Sequence, residues 1–419
     1  MRYLTSIVGK QFFAFSLLMR LPTWMSALAV LVIMSDRTGE ITLGTYGAGL
    51  IALASAMSHR TYRVLSHRFG VRGVLTVAAT LNIPAVAFLL VQMLDFIGQR
   101  TGGSILMFLL ASTLAGVTTP PLGAMMRSYW SHRYSEYHDR RELNTSTTFE
   151  SVLDIVALPV AASIVGLIAI LGGLNAPLYA VIVIDLLGIM FVLWRPGSIR
   201  MRSADLEGFG SFEKNVQGSA KLGWLPVLGI SCLGICIGSA QTMLAFRAIS
   251  QDSVTNIGFY LGAMGSAGAI ACVVMTLLRS RVGTWQGWTM IASALTLVSL
   301  LMSVPQSTPG LLLLLALFGA VLGAGLLSID SIITSLSARG NIDLAHSTAQ
   351  ATFIAGIALG FVWGGVFGAR FGVQSALLVP VISSAAYFIL AHIYGYKWRK
   401  KYEERLAPLP EDLSLSRKG

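Results

Sequence analysis

The chain has 419 residues, of which 12% are charged and 54% hydrophobic, and its mean hydropathy is +0.71. Soluble domains carry about 25% charged residues, so this composition excludes a soluble globular protein and predicts an integral membrane protein. The net charge of +11 does not indicate nucleic-acid binding, because the basic residues fall in loops between apolar segments, where they orient a protein in the bilayer.

Twelve apolar segments follow one another along the chain, each about as long as a bilayer-spanning helix. They predict an all-α, polytopic membrane protein with about 12 transmembrane helices. The predicted spans are 11–35, 44–62, 74–94, 104–126, 144–171, 176–194, 223–246, 257–278, 288–304, 310–335, 343–368 and 373–396.

The polar, glycine-containing connection at the midpoint predicts a linker between two six-helix halves. We expect an N-terminal half at 1–194, a cytoplasmic linker at 195–222, a C-terminal half at 223–396 and a cytoplasmic tail at 397–419. Weak internal similarity supports pseudo-symmetry between the halves, as in duplicated transporters: Leu21-Pro22 is matched by Leu225-Pro226. The basic cluster at 397–401 is predicted to contact anionic lipid headgroups.

The distribution of lysine and arginine predicts the orientation in the membrane. If both termini are cytoplasmic, 24 of the 30 basic residues lie on the cytoplasmic side and four lie outside. The positive-inside rule therefore predicts a multi-pass protein of the cytoplasmic membrane with both termini inside.

Ionisable groups within the spans are functional candidates, because an unpaired charge in the bilayer costs several kcal/mol. Arg20 and Asp154 each lie about ten residues from a cytoplasmic start, which places both roughly 15 Å deep. Glu150 lies one turn shallower on the face of Asp154, at the level of Arg127. This predicts two pairs, Arg20 with Asp154 and Arg127 with Glu150. They are either fixed ion pairs or a site at which Asp154 or Glu150 exchanges protons.

Other polar residues in the spans leave alternatives open. Asp330 is expected near the cytoplasmic face, where it would take a proton, pair with a basic residue across the halves, or act as a hydrated gate. Gln241 would hydrogen-bond substrate or join helices. His59 and Arg60 are predicted to snorkel to the headgroups. Asp185 lies at mid-depth and has no partner that the sequence identifies.

Small and sulfur-containing residues add little to the functional assignment. Glycines at near-helical spacing in the eighth, tenth and eleventh spans indicate either static packing or a sliding seam between the halves. The three cysteines all lie in apolar segments, so we expect buried free thiols and no metal site: Cys232, Cys236 and Cys272.

The turn between the second and third spans carries a family resemblance. It resembles the cytoplasmic signature of the major facilitator superfamily, which is Gly, three residues, Asp-Arg, any residue, Gly, any residue, Arg. Arg68, Gly70 and Arg72 match that pattern, whereas His67 stands in place of the aspartate and Arg63 in place of the first glycine. The resemblance implies a role for this aspartate position in a conformational latch, which the histidine alters.

Further motifs are similar to a drug-exporter-like bacterial branch of that superfamily: Arg20-Leu21-Pro22, the stretch 120–127 (PPLGAMMR) and the acidic stretch 150–154. The resemblance implies a secondary active transporter with alternating access, with proton-coupled export of an amphipathic compound or metabolite as the leading hypothesis. Its expected partners are a small-molecule substrate, protons and membrane lipids, and we expect a monomer with no cofactor. The chain has no nucleotide-binding loop of the form GxxxxGK[ST], so ATP is not expected to drive transport directly.

Two alternatives remain from other functional classes. One is a transport-inactive sensor or assembly factor on the same fold, which the altered signature turn favours. The other is a membrane-embedded enzyme acting on a lipid-linked substrate. We do not expect an enzyme, because the predicted outer loops are short and the sequence lacks His-Glu-x-x-His.

The predicted orientation can be tested with a reporter fused after Gly419. A reporter that is active only in the cytoplasm should give full signal, and one that is active only outside should give none. The same fusion placed between residues 37 and 41 should show the reverse pattern. Activity of the outside reporter at Gly419 would contradict an even number of spans with both termini inside.

Overall fold

The computed structural model describes residues 15–99, 102–123, 125–127, 130, 140–194, 220–250, 257–278, 284–302, 304, 307–336 and 342–406. Within these residues the chain forms twelve helices of 17 to 33 residues, and a short helical segment, Val373–Ala376, precedes the last of them. The helices are α1 Leu21–Thr38, α2 Ile41–Phe69, α3 Val71–Gln99, α4 Gly102–Thr118, α5 Arg140–Gly172, α6 Ala176–Trp194, α7 Ala220–Ser250, α8 Ile257–Leu278, α9 Thr284–Met302, α10 Thr308–Leu336, α11 Ile342–Phe371 and α12 Leu378–Leu406.

The helices have the length and composition of membrane spans. In the described part of the chain, ten are long and apolar enough to cross a bilayer, and the apolar cores of α4 and α8, Ile105–Thr118 and Phe259–Met275, are shorter. The prediction of an all-α, polytopic membrane protein is therefore confirmed. The predicted fourth span was too long, because α4 ends at Thr118, just before Pro120 and Pro121.

Helix packing repeats with an offset of six helices. In the first half α1 packs on α5 and α6, α2 on α4, and α3 on α4 and α6. In the second half α7 packs on α11 and α12, α8 on α10, and α9 on α10 and α12. Two pairs of helices make the main contacts between the halves: α2 with α11, and α5 with α8. The same offset of six helices converts each of these pairs into the other. This repetition is the one expected for two duplicated halves. The linker residues 195–219 and the tail residues 407–419 lie outside the described residues.

The basic turn at 65–72 is much tighter than the sequence indicated. Helix α2 continues through Phe69 and α3 begins at Val71, so Gly70 alone connects them. Gly70 has φ +80° and ψ 148°, a conformation that is essentially restricted to glycine. Arg68 is exposed at the end of α2, and the side chain of His67 lies outside the described residues. We call the end of the bundle at Gly70 the basic end.

Glycines bring the two halves into close contact away from the basic end. A Cβ on Gly49 of α2 would lie 2.9 Å from Val362 of α11, and one on Gly365 would collide with Thr45. In the other seam, Gly262 and Gly265 of α8 face Ser163 and Pro159 of α5. The glycines of α10 and most of those in α11 instead face helices of their own half, for example Gly319 against Met264. Among the described residues, the glycines at contacts between the halves therefore lie at α2–α11 and α5–α8.

Replacing Gly70 by alanine should destabilise the protein by about 1–3 kcal/mol, because a side chain makes this backbone conformation unfavourable. The matched control is Gly73→Ala, a helical glycine with open space around it, which should be neutral or stabilising by up to about 1 kcal/mol. Thermal unfolding in detergent measures both. Equal melting temperatures for the two variants would show that the turn does not depend on the conformation of Gly70.

Candidate functional site

Arg20 lies at a bend in the first membrane span. Residues 15–18 are helical, residues 19 and 20 form a turn, and α1 begins at Leu21 with Pro22 in its first turn. Proline has no N–H to donate to the preceding turn, so the bend is built into the sequence. Arg20 is 3% exposed, and its Nη1 donates to the backbone oxygen of Ser16 at 2.9 Å.

Asp154 of α5 is bound by two arginines. Arg20 Nε lies 2.6 Å from Asp154 Oδ1, so the predicted Arg20–Asp154 pair is present. On the other oxygen, Arg127 donates through Nη1 at 2.7 Å and Nη2 at 2.6 Å. A Cβ on Gly123 would lie 2.5 Å from Asp154 Oδ1, so this glycine leaves room for the carboxylate. One acid therefore connects the bend before α1, the segment after α4, and α5.

The predicted Arg127–Glu150 pair is wrong. Glu150 Oε2 pairs with Arg20 Nη2, and Glu150 Oε1 accepts a hydrogen bond from Trp130 Nε1 at 2.8 Å. With both oxygens of Glu150 occupied, the Arg127 guanidinium binds Asp154, one turn further along α5. Trp130 was not among the predicted site residues, although it follows Arg127 by three residues near the end of the same predicted span.

A cavity enclosing about 830 Å³ lies between the halves, beside this cluster. Its polar lining comes from Arg127, Ser151 and Asp154 on one side and from Asp330, His346 and Gln350 on the other. The rest of the lining is mainly apolar and includes Leu158, Ile237, Met264, Leu322 and Phe353. The polar groups lie toward the basic end and the glycine seams toward the opposite end.

Asp330 of α10 lines the cavity, exposes 18% of its side chain and belongs to a polar chain with His346 and Ser151. His346 Nδ1 of α11 lies 2.9 Å from Asp330 Oδ1, and Ser151 of α5 donates to Asp330 Oδ2 at 2.9 Å. The expected basic partner across the halves is thus replaced by a histidine of the same half, whereas the hydroxyl of Ser151 reaches across. His346 is 2% exposed, although its position near a helix end gave little indication of burial.

Gln241 lines a second, smaller cavity of about 430 Å³. Thr23, Ser55 and Gln241 supply its polar atoms, and Ser55 Oγ is buried with no hydrogen-bond partner. Trp24 lines both cavities and contacts Phe353 across the halves in an edge-on arrangement, with ring centroids 6.3 Å apart. The smaller cavity lies on the side of this aromatic pair away from the basic end.

Among the described residues, His59 and Asp185 are buried ionisable groups that lie outside both the cavity linings and the charge cluster. His59 is fully buried, so the prediction that it snorkels is wrong; it interacts electrostatically with Asp154 and Arg127. Arg60, its neighbour, is exposed. Asp185 accepts a hydrogen bond from Asn82 Nδ2 at 2.8 Å, and Asn82 Oδ1 in turn accepts one from Thr118 Oγ1 at 2.9 Å. Asn82 is the partner that the sequence analysis could not identify.

The fold is shared with solved transporters. The chain is similar to the nucleoside transporter NupG, with 15% identity, a TM-score of 0.61 and coverage of 93% of this chain and 98% of that one. It is also similar to a variant of the E. coli fucose:proton symporter FucP, with 15% identity, a TM-score of 0.56 and coverage of 91% and 98%. No protein-family profile and no curated protein matches the sequence. These similarities show that the fold is shared with the two transporters.

The charge cluster predicts a large effect of Arg20→Met on stability. Removing the guanidinium leaves Glu150 buried without a cation, and breaking a buried pair typically costs about 3–5 kcal/mol. The control, Arg60→Met, removes an exposed arginine and should change stability by no more than about 0.5 kcal/mol. Unfolding by heat or denaturant in detergent measures both.

An unchanged unfolding transition for Arg20→Met would contradict the role of the cluster in stability. Exchanging the two partners, Arg20→Asp with Asp154→Arg, is not expected to restore stability. The exchanged arginine would lie beside Arg127, which now pairs with Asp154.

Proposed function

We propose that the protein is a proton-coupled secondary transporter that exports an amphipathic small molecule by alternating access. The observation that carries this proposal is the cavity between two packing-related halves, lined from both sides by buried ionisable groups. Such groups are costly within a membrane and mark substrate and proton pathways. The similarity to solved transporters supports the same class of function.

The lining of the larger cavity favours a substrate with a cationic or hydrogen-bond-donating group on an apolar body. Asp154 and Asp330 expose 16% and 18% of their side chains, whereas Arg127 exposes 6%. Carboxylate oxygens are therefore the most accessible charged atoms. Arg20 lies behind Asp154 and does not line the cavity, which argues against an anion bound at Arg20.

The position of the cavity supports export. Its polar groups lie toward the basic end, which the arginine and lysine distribution predicts to be cytoplasmic, and glycines bring the halves into close contact toward the other end. This conformation offers the cavity to compounds from the cytoplasm or the inner leaflet. The motifs that resemble drug exporters, at 20–22 and 120–127, contribute Arg20 and Arg127 to the charge cluster.

Proton-driven uptake of a hydroxylated solute is a second candidate. The smaller cavity favours it, because Thr23, Gln241 and the unpartnered Ser55 Oγ form an uncharged polar lining. Hydroxyl groups of a solute would satisfy such atoms. The direction of substrate movement relative to the proton gradient separates the two candidates.

Transport in proteoliposomes tests the proposal, with fluorescent amphipathic cations, nucleosides and sugars as substrates and an imposed pH gradient. We expect cations to move against the proton flow. Leu326→Trp places a larger side chain in the cavity and should reduce transport at least about tenfold, as expected when bulk displaces a bound ligand. Leu317→Trp, on the outer face of the same helix and 46% exposed, is the matched control and should transport normally.

Solute movement in the same direction as the protons would favour the second candidate. Absence of transport and of ligand-dependent thermal stabilisation for every compound would contradict both candidates and favour a transport-inactive protein on this fold.

A further inference from the structure

Asp330, His346 and Thr334 form a continuous hydrogen-bonded chain between α10 and α11. His346 Nδ1 faces Asp330 Oδ1 at 2.9 Å, and His346 Nε2 lies 3.0 Å from Thr334 Oγ1. Thr334 Oγ1 is also within 2.8 Å of the backbone oxygen of Asp330, one helical turn earlier. Both ring nitrogens of the histidine therefore have an oxygen partner in the protein.

The hydrogens of this chain can be placed in two ways that give both ring nitrogens of His346 a hydrogen bond. In the first, the Thr334 hydroxyl donates to the Asp330 backbone oxygen, so Thr334 Oγ1 accepts from His346 Nε2–H while Nδ1–H donates to the carboxylate. The ring then carries both protons and a positive charge. In the second, the Thr334 hydroxyl turns and donates to Nε2, and the neutral ring keeps only the proton on Nδ1. The two arrangements differ by one proton, and every hydrogen bond to the ring is kept in both.

We propose that Asp330, His346 and Thr334 form the proton-binding site of this protein, with His346 as the group that gains and loses the proton. The inference rests on the proposed transport function and names the coupling residue. On release, the N–H bond at Nε2 breaks, the electron pair stays on the nitrogen, and the proton passes to water in the adjoining cavity. The Thr334 hydroxyl then rotates to donate to Nε2, and the reverse sequence reloads the site.

The proton count at this site changes the charge of the cavity. With His346 protonated, the pair with Asp330 is neutral. After release, the pair carries one negative charge, which attracts a cationic substrate group to the same cavity lining. Asp330 would thus be paired in turn with the protonated His346 and with the cationic group of a substrate.

The site also contacts the opposite half of the protein. Ser151 of α5 donates to Asp330 Oδ2, the oxygen that His346 does not use. A change in charge at Asp330 therefore acts on a hydrogen bond between the halves. This contact links the proton count to the separation of α5 from α10, which has to change when the cavity opens on the other side.

Charged and titratable groups from neighbouring elements face this pair. Among the described residues, Arg127 in the segment after α4 and Asp154 of α5 line the same cavity. Cys272 of α8 interacts electrostatically with Asp330. From α7, the cavity receives the apolar Ile230 and Ile237. The charges of Arg127 and Asp154 therefore contribute to the electrostatic environment of His346.

Asp154, one of the two proton carriers that the sequence left open, is less suited to this role. It accepts hydrogen bonds from Arg20 and from both terminal nitrogens of Arg127. Protonating Asp154 would remove the negative charge that Arg127 binds, which would leave a buried cation without its partner. The His346 site needs no such rearrangement.

Imidazole ¹⁵N NMR of the full-length protein in nanodiscs tests the site directly, without transport. The chain has six histidines, so the His346 signals can be assigned by their loss in His346→Gln. As the pH is raised, we expect the His346 ring to change from doubly protonated to neutral with the proton on Nδ1. In Asp330→Asn the doubly protonated form should be lost. A ring that stays in one state throughout would overturn the proposal.

The role of the Thr334 hydroxyl has its own variant. Thr334→Val removes the oxygen that accepts from Nε2–H and should shift the His346 titration toward lower pH. Thr348→Val is the matched control, because the hydroxyl of Thr348 donates one turn back to Leu344 in the same way but is exposed on α11. Identical titrations for the two variants would overturn the assignment of Thr334.

Transport separates failure of this inference from failure of the proposed function. His346→Gln should abolish accumulation driven by the pH gradient while leaving substrate exchange without a gradient. His392→Gln, which changes an exposed histidine of α12, should leave both unchanged. Gradient-driven accumulation by His346→Gln would overturn His346 as the coupling group while the transporter assignment stands. A titrating His346 in a protein that transports nothing would leave the proton site in place and remove the transport function.

Discussion

A charge inside a bilayer has to be neutralised by the protein itself, and one carboxylate does most of this in the first half. Asp154 binds both Arg20 and Arg127, and Glu150 balances the remaining charge through Arg20. Two acids and two bases thus form a neutral, buried group whose members come from the bend before α1, the segment after α4, and α5. Because losing any one member leaves the group with an uncompensated charge, the cluster fixes these three elements relative to one another.

The second half meets the same requirement with a titratable base. Asp330 pairs with His346, whose charge depends on one proton, whereas the arginines of the first half are charged at every physiological pH. The cavity therefore has one wall of fixed charge and one wall whose charge can change. Ser151 connects the two walls, and the glycine seams close the bundle at the opposite end. For the proposed proton-coupled alternating access, this asymmetry would supply a proton site, a ligand cavity and a contact between halves that responds to charge.

The sequence predicted the class of fold, the number of helices and the Arg20–Asp154 pair, because hydrophobic length and helical rise determine which residues lie at the same depth. The sequence did not identify the correct partner of a charged residue where that partner depends on helices distant in sequence. The partner of Arg127 depends on Trp130 occupying Glu150, and the partner of Asp185 is Asn82, on a helix distant in sequence. Depth alone likewise gave no indication of the chain of hydrogen bonds around His346.

The central claim is that ligand binding in the cavity is linked to one proton on the second half. Calorimetry of a bound amphipathic cation, repeated at one pH in buffers of different ionisation enthalpy, counts the protons released on binding. The account predicts release of about one proton per bound ligand by the native protein and none by His346→Gln. Tight binding by the native protein with no proton release, at any pH at which His346 is protonated, would contradict it.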